Sequence, residues 1–267
     1  MEEISFRKYD NDDIKEHYRK LRINQTLSYV LNMKKKYLIF DTKINLWDAF
    51  DLLENYIDVS DPDINLPNIH HLFQTAESIR YDNLPDWLQL TGLIHDLGKI
   101  IYKKNISCDI DGTSVSEQWG IVGDTFITGC KIPSTCVYSE FNDLSSISIP
   151  DIEKTEMGVY TKNCGLENCH CSFGHDEYLY HLLKYNNCTL PEKAYYIIRY
   201  HSLYPWHTEG EYKHLTNDKD EKMLYWVKLF NKYDLYTKKD IKSDLNSLKK
   251  YYNNLLKKYF KYNFIYY

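Results

Sequence analysis

This 267-residue chain lacks a long apolar run and a concentration of basic charge, and its number of cysteines is odd. No apolar run approaches the ~20 residues needed to span a bilayer, and the first residues lack the basic-then-apolar plan of a secretory signal. Lysine and arginine are scattered and the formal net charge is −5, which does not suit a nucleic-acid-binding surface. Seven cysteines is an odd number, and we interpret them as reduced thiols. We therefore expect a cytoplasmic protein that binds neither membranes nor nucleic acids.

Apolar residues recur at helical spacing through most of the chain, which predicts an all-α fold. The length allows one large domain over residues 1–267, a single-domain helical bundle with long connecting loops. We predict helices over residues 12–36, 46–57, 69–80, 85–103, 174–185, 191–202, 218–236 and 241–260. The other segments are predicted to be an extended N-terminal arm (1–11), a surface insertion (104–118) and a long irregular connection (130–168). Since strands and helices do not alternate, a parallel sheet is not expected.

The most informative stretch is Leu90–Ile100, where His95, Asp96 and Lys99 interrupt an apolar helical stripe. A buried group of this kind needs a compensating partner, because unpaired charge in a core is strongly unfavourable. A metal ion would supply that partner, since a carboxylate can bridge two cations whereas an imidazole offers one nitrogen to one. Lys99 follows Asp96 by three residues, so it lies on the same side of a helix.

Three more histidines and one aspartate occur in comparable apolar or aromatic surroundings: His71, His175, His201 and Asp234. Any one of them could be an ordinary hydrogen-bonded residue, and we assign that role to His17, His70, His181, His207 and His214. Together, four imidazoles and two carboxylates are too many for one tetrahedral zinc and match two metals about 3.5–4 Å apart that share a carboxylate. The nitrogen-rich set also suits iron, but the residues alone leave the metal open.

The order His71, His95-Asp96, Asp234 resembles the H…HD…D framework of HD-domain metalloproteins, which are helical and mostly phosphohydrolases. Longer strings are similar to the inositol oxygenase family: GLIHDLGK (92–99), VGDTF (122–126), GHDEYLY (174–180) and FNKYDLYTK (230–238). The similarity extends from about Phe6 to the last helix. The resemblance implies an HD-type helical domain and a non-haem di-iron enzyme of inositol catabolism. That enzyme would cleave the ring of myo-inositol with O2 to give D-glucuronate and water.

The resemblance also implies roles for individual residues. One iron would be held by His71, His95, Asp96 and Asp234, and the second by His175 and His201, with Asp96 as the bridge. Two irons per chain, as a mixed-valent Fe(II)/Fe(III) pair, are implied. Lys99 would contact the substrate alkoxide, and Lys99 and Asp96 are assigned catalytic roles. The substrate-binding residues would be Arg7, Asp58, Ser60, Lys99, Gly123, Asp124, His201, Ser202 and Lys238. We expect a monomer whose ligands are myo-inositol and O2.

Two other functions are compatible with parts of this pattern. A metal-dependent HD-domain phosphohydrolase would need several arginines or lysines facing a phosphate, and the candidates Arg7, Lys99 and Lys238 are scattered along the chain. A non-catalytic metal-binding module would not explain why Lys99 and Gly123-Asp124 accompany six potential ligands. The sequence therefore favours the oxygenase.

Overall fold

Helices form most of the secondary structure in the computed structural model, which describes residues 11–61, 67–104, 109–236 and 245–267. The α-helices in these ranges are α1 (Asp12–Asn24), α2 (Leu27–Tyr37), α3 (Leu46–Asp51), α4 (Asn68–Tyr81), α5 (Asp86–Ile94), α6 (His175–Tyr185), α7 (Glu192–Tyr200), α8 (Tyr204–His207), α9 (Asp218–Tyr236) and α10 (Leu245–Tyr259). Two short antiparallel strand pairs accompany them: β1 (Lys43–Asn45) with β4 (Phe264–Tyr266), and β2 (Ile127–Thr128) with β3 (His170–Cys171). The predicted all-α class is confirmed.

The first predicted helix is two helices in the structure, separated by Gln25 and Thr26. Thr26 caps α2, because its Oγ accepts a hydrogen bond from the backbone N–H of Tyr29. The buried Gln25 side chain donates to the carbonyl oxygens of Trp119 and Phe173, on two other segments of the chain. The prediction of one continuous helix was wrong. The apolar repeat continues past Gln25 and Thr26, where α1 ends and α2 begins, so the repeat does not reveal the break.

The predicted helix over residues 85–103 is also broken, and the break falls within the most informative stretch. α5 ends before His95, and a 3₁₀ helix follows over Leu97–Lys104. His95 and Asp96 occupy the turn between these two elements. Neighbours on a regular α-helix point about 100° apart, whereas here His95 Nε2 and Asp96 Oδ2 lie 3.7 Å from one another. The break lets both side chains face one site.

The other predicted helices are confirmed, several of them with shorter bounds. The helix over 46–57 is α3 followed by a 3₁₀ helix over Leu52–Asn55, and the helix over 241–260 is α10, with residues 241–244 outside the described ranges. α8 and the four strands were not predicted, because elements of two to four residues have too few positions to show a period. Ile265 and Tyr266 lie in β4, where they pair with Ile44 and Lys43.

The helices that carry the predicted ligands pack against one another in the middle of the core. α4 lies along α5, α6 packs on the 3₁₀ helix over Leu97–Lys104, and α7 contacts α5, α6 and α9. Their shared interface is made of fully buried side chains such as Leu72, Leu93 and Leu179. Burying each of these stabilises the fold by about 1.5–3 kcal/mol. No helix in the described ranges is long and apolar enough to cross a membrane.

Residues 109–118, part of the predicted surface insertion, are anchored in the interior. The buried carboxylate of Asp111 accepts a hydrogen bond from the Tyr37 hydroxyl at 2.7 Å. Gln118 is 2 % exposed, and its amide oxygen accepts from the Tyr56 hydroxyl. Polar composition suggested a surface segment, but these polar groups are buried with hydrogen-bond partners, as buried polar groups normally are.

Gly98 lies where the 3₁₀ helix meets the start of α6. A Cβ atom at this position would lie 2.0 Å from the carbonyl oxygen of His175 and 2.9 Å from the Cβ of Leu179. The obstacle is backbone, which cannot move without shifting the first turn of α6. Only glycine permits this approach.

We expect Gly98→Ala to lower the free energy of unfolding by about 3 kcal/mol, because two packed backbones must separate. The matched control is Gly210→Ala, where a Cβ would have no neighbour closer than 3.6 Å and φ is +75°. The free energy of unfolding of that variant should fall by about 1 kcal/mol, because alanine is strained in the left-handed backbone conformation. Urea unfolding followed by circular dichroism measures both, and equal losses would contradict the importance of the Gly98 contact.

Candidate metal centre

The six predicted metal ligands converge in the core, although they come from distant parts of the sequence. They are supplied by α4 (His71), the turn after α5 (His95 and Asp96), the first turn of α6 (His175), the residue after α7 (His201) and the end of α9 (Asp234). None of the six is more than 9 % exposed. Among the residues that the structure describes, three groups have ligand atoms within 4.8 Å of one another: His71–His95–Asp234, His95–Asp96–His201 and His175–Asp176–His201. The last group includes Asp176, which was not among the predicted ligands.

One half of this cluster is centred on Asp234. Its Oδ1 lies 2.9 Å from Nε2 of His71 and 3.1 Å from Nε2 of His95. Burial by itself would raise the pKa of Asp234, but the neighbouring His95 and His71 hold that pKa well below its ordinary value. The carboxylate is therefore an anion that faces two imidazoles, a donor set that suits a divalent transition metal.

The other half is centred on Asp96. Its Oδ1 lies 3.0 Å from Nε2 of His175 and 3.9 Å from Nε2 of His201. The two imidazole nitrogens are 3.2 Å apart. The second oxygen of Asp96, Oδ2, faces His95 in the first half of the cluster. Asp96 thus presents one oxygen to each half, which is the arrangement a bridging carboxylate requires.

Backbone carbonyl groups determine which nitrogen of three imidazoles faces the cluster. The Nδ1 atoms of His95, His175 and His201 lie 2.8, 2.8 and 3.0 Å from the carbonyl oxygens of Gly92, Ile121 and Ile198. A carbonyl can only accept, so each Nδ1 carries a proton, and Nε2 is the nitrogen that faces the cluster. Where both rings are neutral, the Nε2 atoms of His175 and His201 face one another as two lone pairs, 3.2 Å apart. A cation between them relieves this contact, so the residues fit a metal.

Lys99 links the cluster to a second buried carboxylate. Its Nζ donates to Oδ2 of Asp96 and to Oδ2 of Asp58, each at 2.7 Å. Burial alone would lower the pKa of Lys99, but the two carboxylates raise it above its ordinary value, so the side chain is a fixed cation. Asn68 Nδ2 also donates to Oδ2 of Asp96, at 3.0 Å. The Oδ1 of Asp58 accepts from the N–H and the hydroxyl of Ser60, so this loop is held in place.

A cavity opens beside the cluster, and most of the residues predicted to bind substrate line it. These are Asp58, Ser60, Lys99, Gly123, Asp124, His201 and Ser202. Gly123 has a φ of +114°, which glycine adopts without strain. The N–H of Thr125 donates to the carbonyl of Ser202 at 2.9 Å, and this bond holds the 123–125 loop against the end of α7. Arg7 and Lys238, the other two predicted residues, lie outside the described ranges.

Several cavity residues were not predicted from the sequence: Tyr18, Asp61, Asn68 and Tyr204. Tyr18 occupies an apolar position of α1, which predicts a core residue, but its hydroxyl donates to Oδ1 of Asp124 at 3.0 Å. Asn68 directly precedes the helix predicted over 69–80, where asparagine commonly serves as a cap, but in the structure it is the first residue of α4 and Pro67 is the cap. Nothing in the sequence distinguishes these residues from ordinary structural ones.

His207 was predicted to be an ordinary residue, and the structure places it directly behind the cluster. Its Nε2 donates to the carbonyl oxygen of His201 at 2.9 Å. Burial lowers the pKa of His207 to about 4, so the ring is neutral at pH 7. It supports the backbone of a candidate ligand and does not itself face the cavity.

The fold and the site define a mainly helical protein with a buried His–Asp cluster that could hold metal ions beside an open cavity. The family model for myo-inositol oxygenase matches residues 11–266, and the chain belongs to that family. It is 47 % identical to inositol oxygenase of Dictyostelium discoideum, over 96 % of this chain and 87 % of the relative. It is 41 % identical to inositol oxygenase of Danio rerio (97 % and 92 % covered) and 43 % identical to inositol oxygenase 2 of Arabidopsis thaliana (96 % and 81 % covered).

We expect Fe(II), added without oxygen, to stabilise the folded chain, because the folded state alone gathers these ligands. At a concentration one hundred times its Kd, the gain in unfolding free energy should be about 2.7 kcal/mol. His175→Ala should reduce the gain, whereas His214→Ala should not, since the His214 ring bonds the Glu156 carbonyl away from the cluster. Thermal unfolding with and without metal measures the effect. An unchanged melting temperature in the unsubstituted chain would contradict the proposed site.

Proposed function

We propose that this protein is a non-haem di-iron oxygenase that cleaves the ring of myo-inositol with O2, giving D-glucuronate and water. The observation that carries the proposal is Asp96, with one oxygen toward each half of a His–Asp cluster, in a chain of the myo-inositol oxygenase family. One iron would be held by His71, His95, Asp96 and Asp234, and the other by Asp96, His175 and His201. When bound, a mixed-valent Fe(II)/Fe(III) pair would polarise substrate hydroxyls and supply electrons for O2 reduction.

The charge of the cavity suits a neutral polyol. Five carboxylates line it: Asp58, Asp61, Asp96, Asp124 and Asp234. Lys99 and a mixed-valent Fe(II)/Fe(III) pair would together bring six positive charges to these five negative ones, so little net charge would remain for a substrate to balance. Carboxylates and hydroxyl groups such as Ser60 are hydrogen-bond partners for the hydroxyls of inositol. A polyol lacking one hydroxyl would leave such a group unpaired, which is how the site would discriminate between substrates.

Lys99 would favour the substrate alkoxide over the neutral hydroxyl. Its Nζ is held between Asp58 and Asp96, so the positive charge is in place before substrate binds. Ser60 orients Asp58 and thereby contributes to the position of the ammonium group. The substrate-binding roles proposed for Gly123, Asp124 and Ser202 follow from their place on the same cavity wall.

Phosphate-ester hydrolysis has weaker support, because it requires cations that meet the phosphate oxygens. Among the lining residues that the structure describes, Lys99 is the only lysine or arginine. Both of its carboxylate partners already lie at 2.7 Å. The other charged side chains on the wall are carboxylates, which as anions offer a phosphate no hydrogen-bond donor.

The direct test is to load the chain with Fe(II) without oxygen, mix it with myo-inositol and then admit air. We expect uronate to form with an equal molar uptake of O2. Nucleotides serve as the comparison substrates, from which no phosphate should be released. Absence of uronate from fully loaded protein would contradict the proposal.

We expect Asp96→Ala to lose metal from both halves of the cluster, because one carboxylate serves both. Iron per chain, measured after anaerobic loading and gel filtration, should fall well below that of the unsubstituted chain. Asp61→Ala is the matched control, since Asp61 lines the cavity but belongs to none of the ligand groups. Retention of two irons by Asp96→Ala would refute the bridging role.

We expect Lys99→Ala to keep its iron and to lower kcat by about 10²–10³, the loss typical for a group that stabilises developing negative charge. The control is Lys104→Ala, because Lys104 lies on the same 3₁₀ helix but its Nζ contacts Asp41 outside the cavity. Uronate formation at saturating myo-inositol measures both. An unchanged rate for Lys99→Ala would remove this residue from the mechanism.

A further inference from the structure

A buried ion pair joins α6 to α7 behind the cluster. Nε of Arg199 donates to Oε2 of Glu177 at 2.7 Å, and Nη2 donates to Oε1 at 3.2 Å. Arg199 is 6 % exposed and Glu177 is 1 % exposed. Glu177 follows His175 by two residues, and Arg199 precedes His201 by two. The pair therefore connects the two helices at the ends that carry these two imidazoles.

Every charged atom of this pair has a partner. The third nitrogen of Arg199, Nη1, donates to the Tyr200 hydroxyl at 3.1 Å. Oε1 of Glu177 lies 2.7 Å from Nζ of Lys34, on α2, and 3.1 Å from Nε2 of His181. A buried ion pair contributes little net stability compared with apolar residues of the same volume. The stability of the fold alone therefore does not account for so complete a network.

Neither member of the pair lines the cavity. Residues two apart on a helix point roughly 200° apart, so Glu177 is directed away from the face that His175 presents to the cluster. Contact with a substrate or a metal is thus not the role of the pair. Its influence on the cluster acts through the positions of α6 and α7.

The position of α6 relative to α7 matters because one imidazole is carried by each helix. Nε2 of His175 and Nε2 of His201 lie 3.2 Å apart, one at the start of α6 and one just after α7. Metal–ligand distances tolerate changes of only about 0.2 Å. A small displacement of one helix along the other would place one of the two nitrogens out of reach.

We propose that Glu177 and Arg199 are a positioning pair that fixes the separation of His175 and His201 and so sets the metal affinity of that half of the cluster. The proposal rests on the proposed function for the presence of a second metal. It is tested by metal binding alone, without substrate or oxygen. Loss of the pair should weaken the second metal by about 10–100-fold, the range seen when groups that orient ligands are removed.

The test compares Arg199→Met, Arg199→Lys and Glu177→Gln with the unsubstituted chain. Co(II), which is stable to air, is titrated into each apoprotein, and the affinities of the two sites and the number of ions per chain are measured. Arg22→Met is the matched control. Arg22 is also a buried arginine, and it donates to Asn142 and to the Val137 carbonyl, neither of which is a predicted ligand or belongs to a helix that carries one. Urea unfolding records the stability of every variant.

We expect Arg199→Met to bind one Co(II) with unchanged affinity and the second at least 10-fold more weakly. Arg199→Lys should recover part of the loss, and Arg22→Met should keep both affinities even if it is equally destabilised. Glu177→Gln, which keeps the side-chain volume, provides the same comparison if Arg199→Met does not fold. Two unchanged sites in the Arg199 and Glu177 variants, or an equal loss in Arg22→Met, would overturn the positioning role. Fewer than two ions in the unsubstituted chain would overturn this proposal and the di-iron function together.

Discussion

The buried carboxylate of Asp96 is the group on which the rest of the structure depends. Burying an anion costs several kcal/mol unless opposite charge and hydrogen bonds compensate. Lys99 and Asn68 donate hydrogen bonds to its Oδ2, and its Oδ1 lies 3.0 Å from Nε2 of His175. Cations held on both sides of this carboxylate would add to that compensation. The burial of Asp96 therefore favours metal binding.

The ligands are placed by the ends of helices rather than by their middles. His95 and His201 each follow the last residue of a helix, α5 and α7, and each ring donates Nδ1–H to a carbonyl three residues earlier. These carbonyls are among the last four of their helices, which have no partner within the helix. These carbonyl groups therefore fix the orientation of the two rings, and neither helix loses an internal hydrogen bond. The Glu177–Arg199 pair joins the end of α7 to the start of α6, which carries His175.

The sequence predicted the helical class and the identity of the candidate cluster, because buried ligands among apolar residues stand out and their order matches a family. It did not predict the helix break and the helix cap that shape the surroundings of the cluster. The break at His95-Asp96 and the cap at Thr26 interrupt apolar repeats that continue on both sides. Tyr18 and Asn68 reach the cavity from positions whose residue types fit ordinary core and cap roles. Such contacts depend on the packing of distant segments, which no local pattern records.

The most direct test of the account is anomalous diffraction at the iron absorption edge from crystals of the Fe(II)-loaded chain. We expect two peaks per chain, about 3.5–4 Å apart, each next to a different oxygen of Asp96. His71, His95 and Asp234 should surround one peak, and His175 and His201 the other. A single peak, or two that do not share Asp96, would contradict the dinuclear centre.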